Sequence, residues 1–276
     1  MIWVNGKKIE QDHFSAGELK IKLFPSSREV VDVVWHYEND AELFTIGCIR
    51  EYYMSRPCRL YLPYLPNARQ DRVKNVEDVF TLKAFARYIN ALNFSTVYVW
   101  DAHSNVGPAL IDRCVNVSAQ NYIEEAIKQL KWSLENEFCP GDGTTVVNPK
   151  ITLFFPDEGA QKRYGGMFPD YKQAFGIKNR NWETGKIVNY MIVGEENIKD
   201  NHILIIDDIC SYGNTFVKAA EALHEAGAET ISLYVTHCEE AIGKGDVFKC
   251  NLIEDVLTTN SLIRSEETNS KLTIIH

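Results

Sequence analysis

Residues His202 to Thr215, His-Ile-Leu-Ile-Ile-Asp-Asp-Ile-Cys-Ser-Tyr-Gly-Asn-Thr, constrain this chain more than any other stretch of its 276 residues. After His202, apolar residues run without interruption to Ile206, as in a strand buried on both faces. Two adjacent aspartates follow, and then a short turn of small and polar residues. The spacing predicts a helix from about Thr215, whose hydroxyl would cap it, through the apolar and Ala-rich run Phe216 to Ala226, closed by Gly227. A strand that ends in acids and turns into a helix N-terminus aims backbone N–H groups at an anion. The acids beside it can hold sugar hydroxyls or Mg²⁺. A βα turn that merely happens to carry Asp-Asp is the competing reading. Charge, small residues and cap coincide in the right order, which argues against it.

The rest of the chain alternates. Apolar strands at 59–65, 97–101, 151–155, 202–208 and 230–235 are separated by helical stretches, which predicts an α/β fold with largely parallel sheets. A helix from about Val79 to Leu92 places Leu82, Phe85, Ala86 and Ile89 on one face, and another from Gln120 to Glu135 aligns Ile123, Ile127, Leu130 and Leu134. Residues 136–150, with Pro140-Gly-Asp-Gly143, read as a turn-rich connection. The 45% hydrophobic content fills one large or two medium cores. A net charge of −9 without a basic run argues against a nucleic-acid or anionic-membrane binder. No apolar stretch approaches a membrane span, and the first residues lack a signal-peptide core, so a cytoplasmic protein is expected. The seven cysteines form no CxxC pair or zinc spacing and read as reduced thiols. Cys210, inside the anion turn, is the one to watch for reactivity; filling the turn is its plainer role.

Asp-Asp followed by a phosphate loop ending in Thr resembles the 5-phosphoribosyl 1-pyrophosphate (PRPP) signature shared by type I phosphoribosyltransferases and PRPP synthetases. Three further segments separate the two. Pro63-Tyr-Leu-Pro-Asn-Ala-Arg-Gln-Asp-Arg72 is similar to the Pro-Tyr-x-x-x-Ala-Arg-Gln-Asp-Arg segment of ribose-phosphate pyrophosphokinases. Val97 to His103 resembles their strand ending Asp-Leu-His, and Phe155 to Arg163 their pyrophosphate loop, Ser-Pro-Asp-x-Gly-Gly-x-x-Arg. Phe14 to Glu18, Lys178-Asn-Arg180, Thr236-His237 and Thr258 to Ser261 also fall in register. The resemblance runs collinearly from about Phe14 to Leu262. It implies two tandem phosphoribosyltransferase-like domains, residues 1–118 with an ATP site and 119–276 with the ribose-phosphate and pyrophosphate loops. One departure precedes Phe14, where the segment is too short for the family's opening strand and helix.

Residue by residue, the resemblance implies an ATP site of Phe14, Glu18, Arg69, Gln70, Asp71 and His103. Phe14 and Glu18 would reach adenine from a neighbouring subunit, so a homo-oligomer with its ATP site at a subunit interface is expected. Asp157, Glu158, Gly159 and Ala160 would take pyrophosphate, Ala160 replacing the family's second Gly. His103 and Asp157 would lie next to Mg²⁺. Lys178 and Arg180, in the polar stretch Gly176 to Lys186, match the family's catalytic flap. Read without the resemblance, His103 is a strand-end histidine and Lys178 and Arg180 a solvated loop.

The acceptor turn departs most. The family usually has Asp-Thr-Ala-Gly-Thr where this chain has Ser211, Tyr212, Gly213, Asn214 and Thr215. Asp207 and Asp208 would hold the ribose 2- and 3-hydroxyls. Tyr212 offers an aromatic face or a hydroxyl to a larger group on the 5-phosphate. The resemblance therefore implies as acceptor ribose 5-phosphate, the family's common substrate, or a 5-substituted relative such as ADP-ribose. A phosphoribosyltransferase, which would leave Arg69 to Asp71 and Lys178/Arg180 unexplained, and a non-catalytic nucleotide-binding homologue are the remaining readings.

Overall fold

The computed structural model describes residues 1–137, 149–180, 187–263 and 269–276. The chain divides into two units, Met1–Ser118 and Ala119–His276.

The first unit is built on a six-stranded sheet. Its elements, in chain order, are β1 (Ile2–Val4), β2 (Lys7–Lys8), β3 (Gln11–His13), β4 (Leu19–Ile21), β5 (Val31–Trp35), α1 (Glu42–Tyr52), β6 (Cys58–Leu62), α2 (Thr81–Ala91), β7 (Thr96–Trp100), α3 (Val106–Leu110) and β8 (Cys114–Val117). The sheet order is β2-β1-β5-β6-β7-β8, and β3 and β4 form a separate hairpin. Strands β5 to β8 are parallel and β1 is antiparallel to both its neighbours. Burial alternates along β5, β6 and β7. Their inward residues form one core with Ile46 and Ile49 of α1 and Leu82, Phe85, Ala86 and Ile89 of α2, the stripe expected from sequence. Strand β6 stops at Leu62 rather than continuing to Leu65, because Pro63 has no N–H to give the ladder.

The second unit contains α4 (Gln120–Glu137), β9 (Ile151–Phe155), α5 (Glu158–Tyr164), β10 (Lys172–Arg180), β11 (Ile187–Val193), β12 (His202–Cys210), α6 (Asn214–Glu225), β13 (Thr230–Cys238), β14 (Val256–Thr259) and β15 (Leu272–Ile275). Its sheet runs β11-β10-β9-β12-β13-β14-β15. Every pairing is parallel except that of β10 with β11. Each face has its own core. Phe216, Ala219, Ala220 and Leu223 of α6 pack with Phe154, Ile203 and Ile205. Ile123, Ile127 and Leu130 of α4 and Tyr164 of α5 pack with Leu153, Phe155, Leu204 and Ile206. Burial on both faces is why β9 is apolar but for Thr152 and why β12 is continuously apolar from Ile203 to Ile206. The fold is thus α/β with two mainly parallel sheets, as expected. Most of the turn-rich stretch 136–150 lies outside the described residues, and α4 extends two residues beyond the expected Glu135.

Candidate functional site

Strand order places the site in the second unit. After β9 the chain moves to β10 on one side, whereas β12 leads to β13 on the other. The crevice beyond the carboxyl ends of β9 and β12 is therefore a topological switch point, where open α/β sheets bind ligands. The two strands are in register, Leu204 with Leu153 and Ile205 with Phe154, so the acids after β9 and those late in β12 emerge side by side.

Strand β12 is longer than the sequence suggests. Pairing with β13 continues from Asp207 opposite Val235 to Cys210 opposite Cys238, so both aspartates lie inside the strand. Asp208 is buried and its carboxylate meets Arg163 of α5 at 3.2 Å, while its N–H donates to Asp207 Oδ1 at 2.9 Å. Burial, reinforced by the charges of Asp208 and then Asp157, pushes the Asp207 carboxyl well above the usual carboxylate range. Asp157 is the N-cap of α5, its Oδ1 accepting the Ala160 N–H at 3.0 Å. Glu158, Gly159 and Ala160 form the first turn of α5. A Cβ on Gly159 would meet only Asp157 Oδ1, at 3.1 Å, whereas Ala160 is buried in the core, where its methyl is accommodated.

The turn from β12 into α6 differs from expectation in one respect. Gly213, not Thr215, is the N-cap, with φ +79°, and the helix starts at Asn214. A residue already inside the first turn cannot cap it, and the left-handed conformation that reverses the chain suits glycine. The Gly213 carbonyl accepts the Phe216 and Val217 N–H groups at 2.9 and 3.2 Å. The first N–H groups of α6 have no partner within the helix. Ser211 and Thr215 are half-buried; Tyr212 is 54% exposed and Asn214 is also exposed. Behind this turn, a Cβ at Gly213 would lie 2.0 Å from Val247 Cγ2, and one at Gly245 would lie 1.9 Å from the Tyr212 carbonyl oxygen. Gly227 ends α6 as expected, with φ +88° and its N–H on the His224 carbonyl. Cys210 is fully buried and burial pushes its thiol strongly up, which makes it an inert filler of the turn. The six described cysteines are free; Cys139 lies outside the described residues.

The other strand ends are tied by a buried polar network. His237 Nδ1 pairs with Ser261 Oγ at 2.8 Å, Ser261 Oγ donates to the Thr236 carbonyl at 3.1 Å, and Thr259 Oγ1 donates to the same carbonyl at 2.7 Å. The Thr236-His237 and Thr258 to Ser261 segments thus meet. Lys178 and Arg180 lie in β10, paired by backbone with Tyr190 and Ile187 of β11, and not in a free loop; their side chains lie outside the described residues, as do residues 181–186.

The first unit holds the remaining candidates. Asn67, at φ +62°, turns the chain so that Arg69 and Gln70 are exposed and Asp71 is buried. Arg72 Nε lies 2.7 Å from Asp71, and this bond, with the Ser104 hydroxyl and the nearby His103, holds the Asp71 carboxyl below its ordinary range. Asp71 is thus already engaged inside its own turn, while Gln70 accepts a bond from Thr81. His103 is half-buried on the turn after β7, beyond Asp101, which is buried with φ +41°. Phe14 and Glu18 occupy the exposed tip of the β3–β4 hairpin, closed by a Phe14 N–H bond to the Glu18 carbonyl at 2.9 Å. Phe14 is 56% exposed, with Lys20 Nζ 5.8 Å from its ring centre. Among the described residues no cluster of three or more His, Cys, Asp or Glu is arranged as a metal site, and no helix is long and apolar enough to cross a membrane.

Three residues of the second unit were not singled out from sequence. Arg163 closes the Pro156-Asp157 segment and was visible as its last residue. Gly245 was signalled only by the pair Gly243 and Gly245. Tyr190 carried no sequence signal. Its hydroxyl donates to the Pro156 carbonyl at 3.0 Å across the hairpin.

Comparison with known proteins agrees with this geometry. Residues 175–259 match the phosphoribosyl transferase domain family. The chain is 27% identical over 255 residues to a ribose-phosphate pyrophosphokinase of Thermococcus kodakarensis, covering 84% of this chain and 83% of that one. It is 24% identical over 274 residues to the ribose-phosphate pyrophosphokinase of Pyrococcus abyssi, covering 97% and 87%. The crystal structure of phosphoribosylpyrophosphate synthetase from Mycobacterium smegmatis shares the fold, with a TM-score of 0.75 and 19% identity over 97% of this chain and 85% of that one. With the motifs collinear and the matches extending over nearly the full length, the chain is similar to the ribose-phosphate pyrophosphokinases, and residues 175–259 to the phosphoribosyl transferase domain.

Proposed function

We propose that this protein transfers the β,γ-diphosphate of ATP to the anomeric hydroxyl of a ribose 5-phosphate acceptor, giving PRPP and AMP. The observation that carries the reading is the switch point itself. Asp207 and Asp208 stand beside the Asp157 turn and lead directly into the Gly213 cap of α6. The first turn of α6, with Ser211 and Thr215, suits a sugar phosphate, and the aspartates suit the ribose diol. Diphosphate transfer of this kind needs positioning and charge neutralisation rather than covalent chemistry.

Magnesium fits this donor set. Mg²⁺ takes one or two carboxylates together with waters and substrate phosphates. Asp207, crowded by Asp208 and Asp157, is a carboxylate whose charge a dication would relieve. In the second unit Asp157 is assigned to Mg²⁺, and within the first unit His103 is the residue assigned to a metal; when bound, such an ion neutralises polyphosphate charge. Arg69, Gln70 and Asp71 are assigned to ATP, with Asp71 acting by holding the turn that presents the other two. Phe14, exposed at a hairpin tip, suits contact with adenine in a second copy of the chain. Lys178 and Arg180 would meet charge that develops only during transfer.

A second reading concerns the acceptor. Tyr212 presents an exposed ring at the mouth of the phosphate turn, which suits a substituent on the 5-phosphate such as the ADP of ADP-ribose. Incubation with ATP and Mg²⁺ and each acceptor in turn tests both. Acceptor-dependent AMP is expected, and ADP, or no AMP with either acceptor, overturns the proposal.

A further inference from the structure

We infer that Tyr190 is a positioning residue that anchors the diphosphate turn from the β10–β11 hairpin. Tyr190 is half-buried, packed near Phe154 with ring centres 6.4 Å apart, and its hydroxyl donates to the Pro156 carbonyl at 3.0 Å. Pro156 immediately precedes Asp157, whose carboxylate caps α5. The phenol reaches that carbonyl by crossing Gly176 of the neighbouring strand. A Cβ there would lie 2.2 Å from the Tyr190 hydroxyl oxygen and 2.4 Å from Cζ, so the contact requires glycine at 176. Diagonal neighbours on an antiparallel pair come within reach of a long aromatic side chain, and the register, with Gly176 opposite Ile192, places Tyr190 on such a diagonal.

Two features set this contact apart from ordinary core packing. The hydroxyl lies close enough to the acids of the site that, after burial, the charges of Asp157 and Asp207 also push its pKa up. The same hairpin also carries the backbone of Lys178, directly opposite Tyr190. One hydroxyl thus ties the hairpin that carries the catalytic candidates on its other strand to the turn that would receive the diphosphate. The inference rests on reading Asp157 to Ala160 as that turn.

The test uses the whole protein and two variants, Tyr190→Phe, which keeps the ring, and Gly176→Ala, which displaces the phenol while retaining it. Hydrogen exchange of the Ala160 and Gln161 amides reports the order of the turn, and calorimetric titration with inorganic pyrophosphate and Mg²⁺ reports its ligand. Both variants should exchange faster at these amides. They should bind pyrophosphate about three- to tenfold more weakly, the worth of one hydrogen bond. Affinity for ribose 5-phosphate should stay within about twofold, since that turn is reached from β12. Unchanged exchange in Tyr190→Phe overturns the inference, whatever binds. Faster exchange in variants of a protein that binds no pyrophosphate even as wild type upholds Tyr190 as the anchor and removes the diphosphate reading instead.

Discussion

Gly245→Ala probes the acceptor turn directly, because the added carbon meets main chain and no rotamer change can relieve it. Its Cβ would lie 1.9 Å from the Tyr212 carbonyl oxygen, 2.8 Å from the carbonyl carbon and 3.1 Å from Cα. Restoring van der Waals contact requires the two segments to part by about 1 Å in an interior that is close-packed. Overpacking of this kind costs about 1–3 kcal/mol, and in a unit of this size each kcal/mol lowers Tm by roughly 2–4 °C. The functional cost should be larger. Misplacing a positioned group by ~1 Å costs up to ~10²-fold in rate, and the residue pushed is Tyr212, between Ser211 and Gly213. In acceptor-dependent AMP release, kcat/KM for the acceptor should fall at least about tenfold, while ATP binding by equilibrium dialysis changes less than about twofold. Gly243→Ala is the control, since a Cβ there meets nothing within 4 Å. If Gly245→Ala keeps both the wild-type Tm and the wild-type acceptor KM, the turn yields freely and its rigidity has no part in acceptor binding.

Three further outcomes are expected. If the acceptor carries a second base, Tyr212→Ala should weaken it about ten- to a hundredfold while sparing ribose 5-phosphate; equal use of both acceptors by both proteins would make the turn's altered sequence neutral. Lys178→Ala and Arg180→Ala should each cut kcat by orders of magnitude with much smaller changes in KM, and near-normal turnover in both would return these residues to solvated strand positions. Asp207 has a raised pKa in the folded state, so the stability it contributes is complete below the unfolded carboxylate's value of about 4 and is lost as pH rises through the folded value. Asp207→Asn should therefore raise Tm at neutral pH and flatten the stability–pH curve while abolishing activity; superimposable curves for the two proteins would show that the carboxyl is not strained.

The β12–α6 segment shows how far sequence reaches. Continuous apolar residues from Ile203 to Ile206 and the α6 stripe at Phe216, Ala219, Ala220 and Leu223 specify a strand buried on both faces followed by an amphipathic helix, and both formed. The helix start was misplaced by one residue because a hydroxyl cap and a left-handed glycine are alternative local solutions. The choice fell to Val247 and Gly245, which pack behind the turn from more than thirty residues downstream. The strands were likewise expected to end at Asp208 and Val235, since nothing local signals that β12 and β13 continue pairing as far as Cys210 and Cys238.

Side-chain period and turn chemistry act over a few residues, and so the sequence by itself determined the elements, their buried faces and the residue types at the strand ends. Only the tertiary structure decided that β9 lies directly beside β12, although the β10–β11 hairpin separates them in sequence. That order sets Asp157 against Asp207 and Asp208, gives Arg163 its partner and aims Tyr190 at Pro156. Each of these contacts depends on strand order and hairpin register, which are long-range hydrogen-bond choices that no short window of residues encodes.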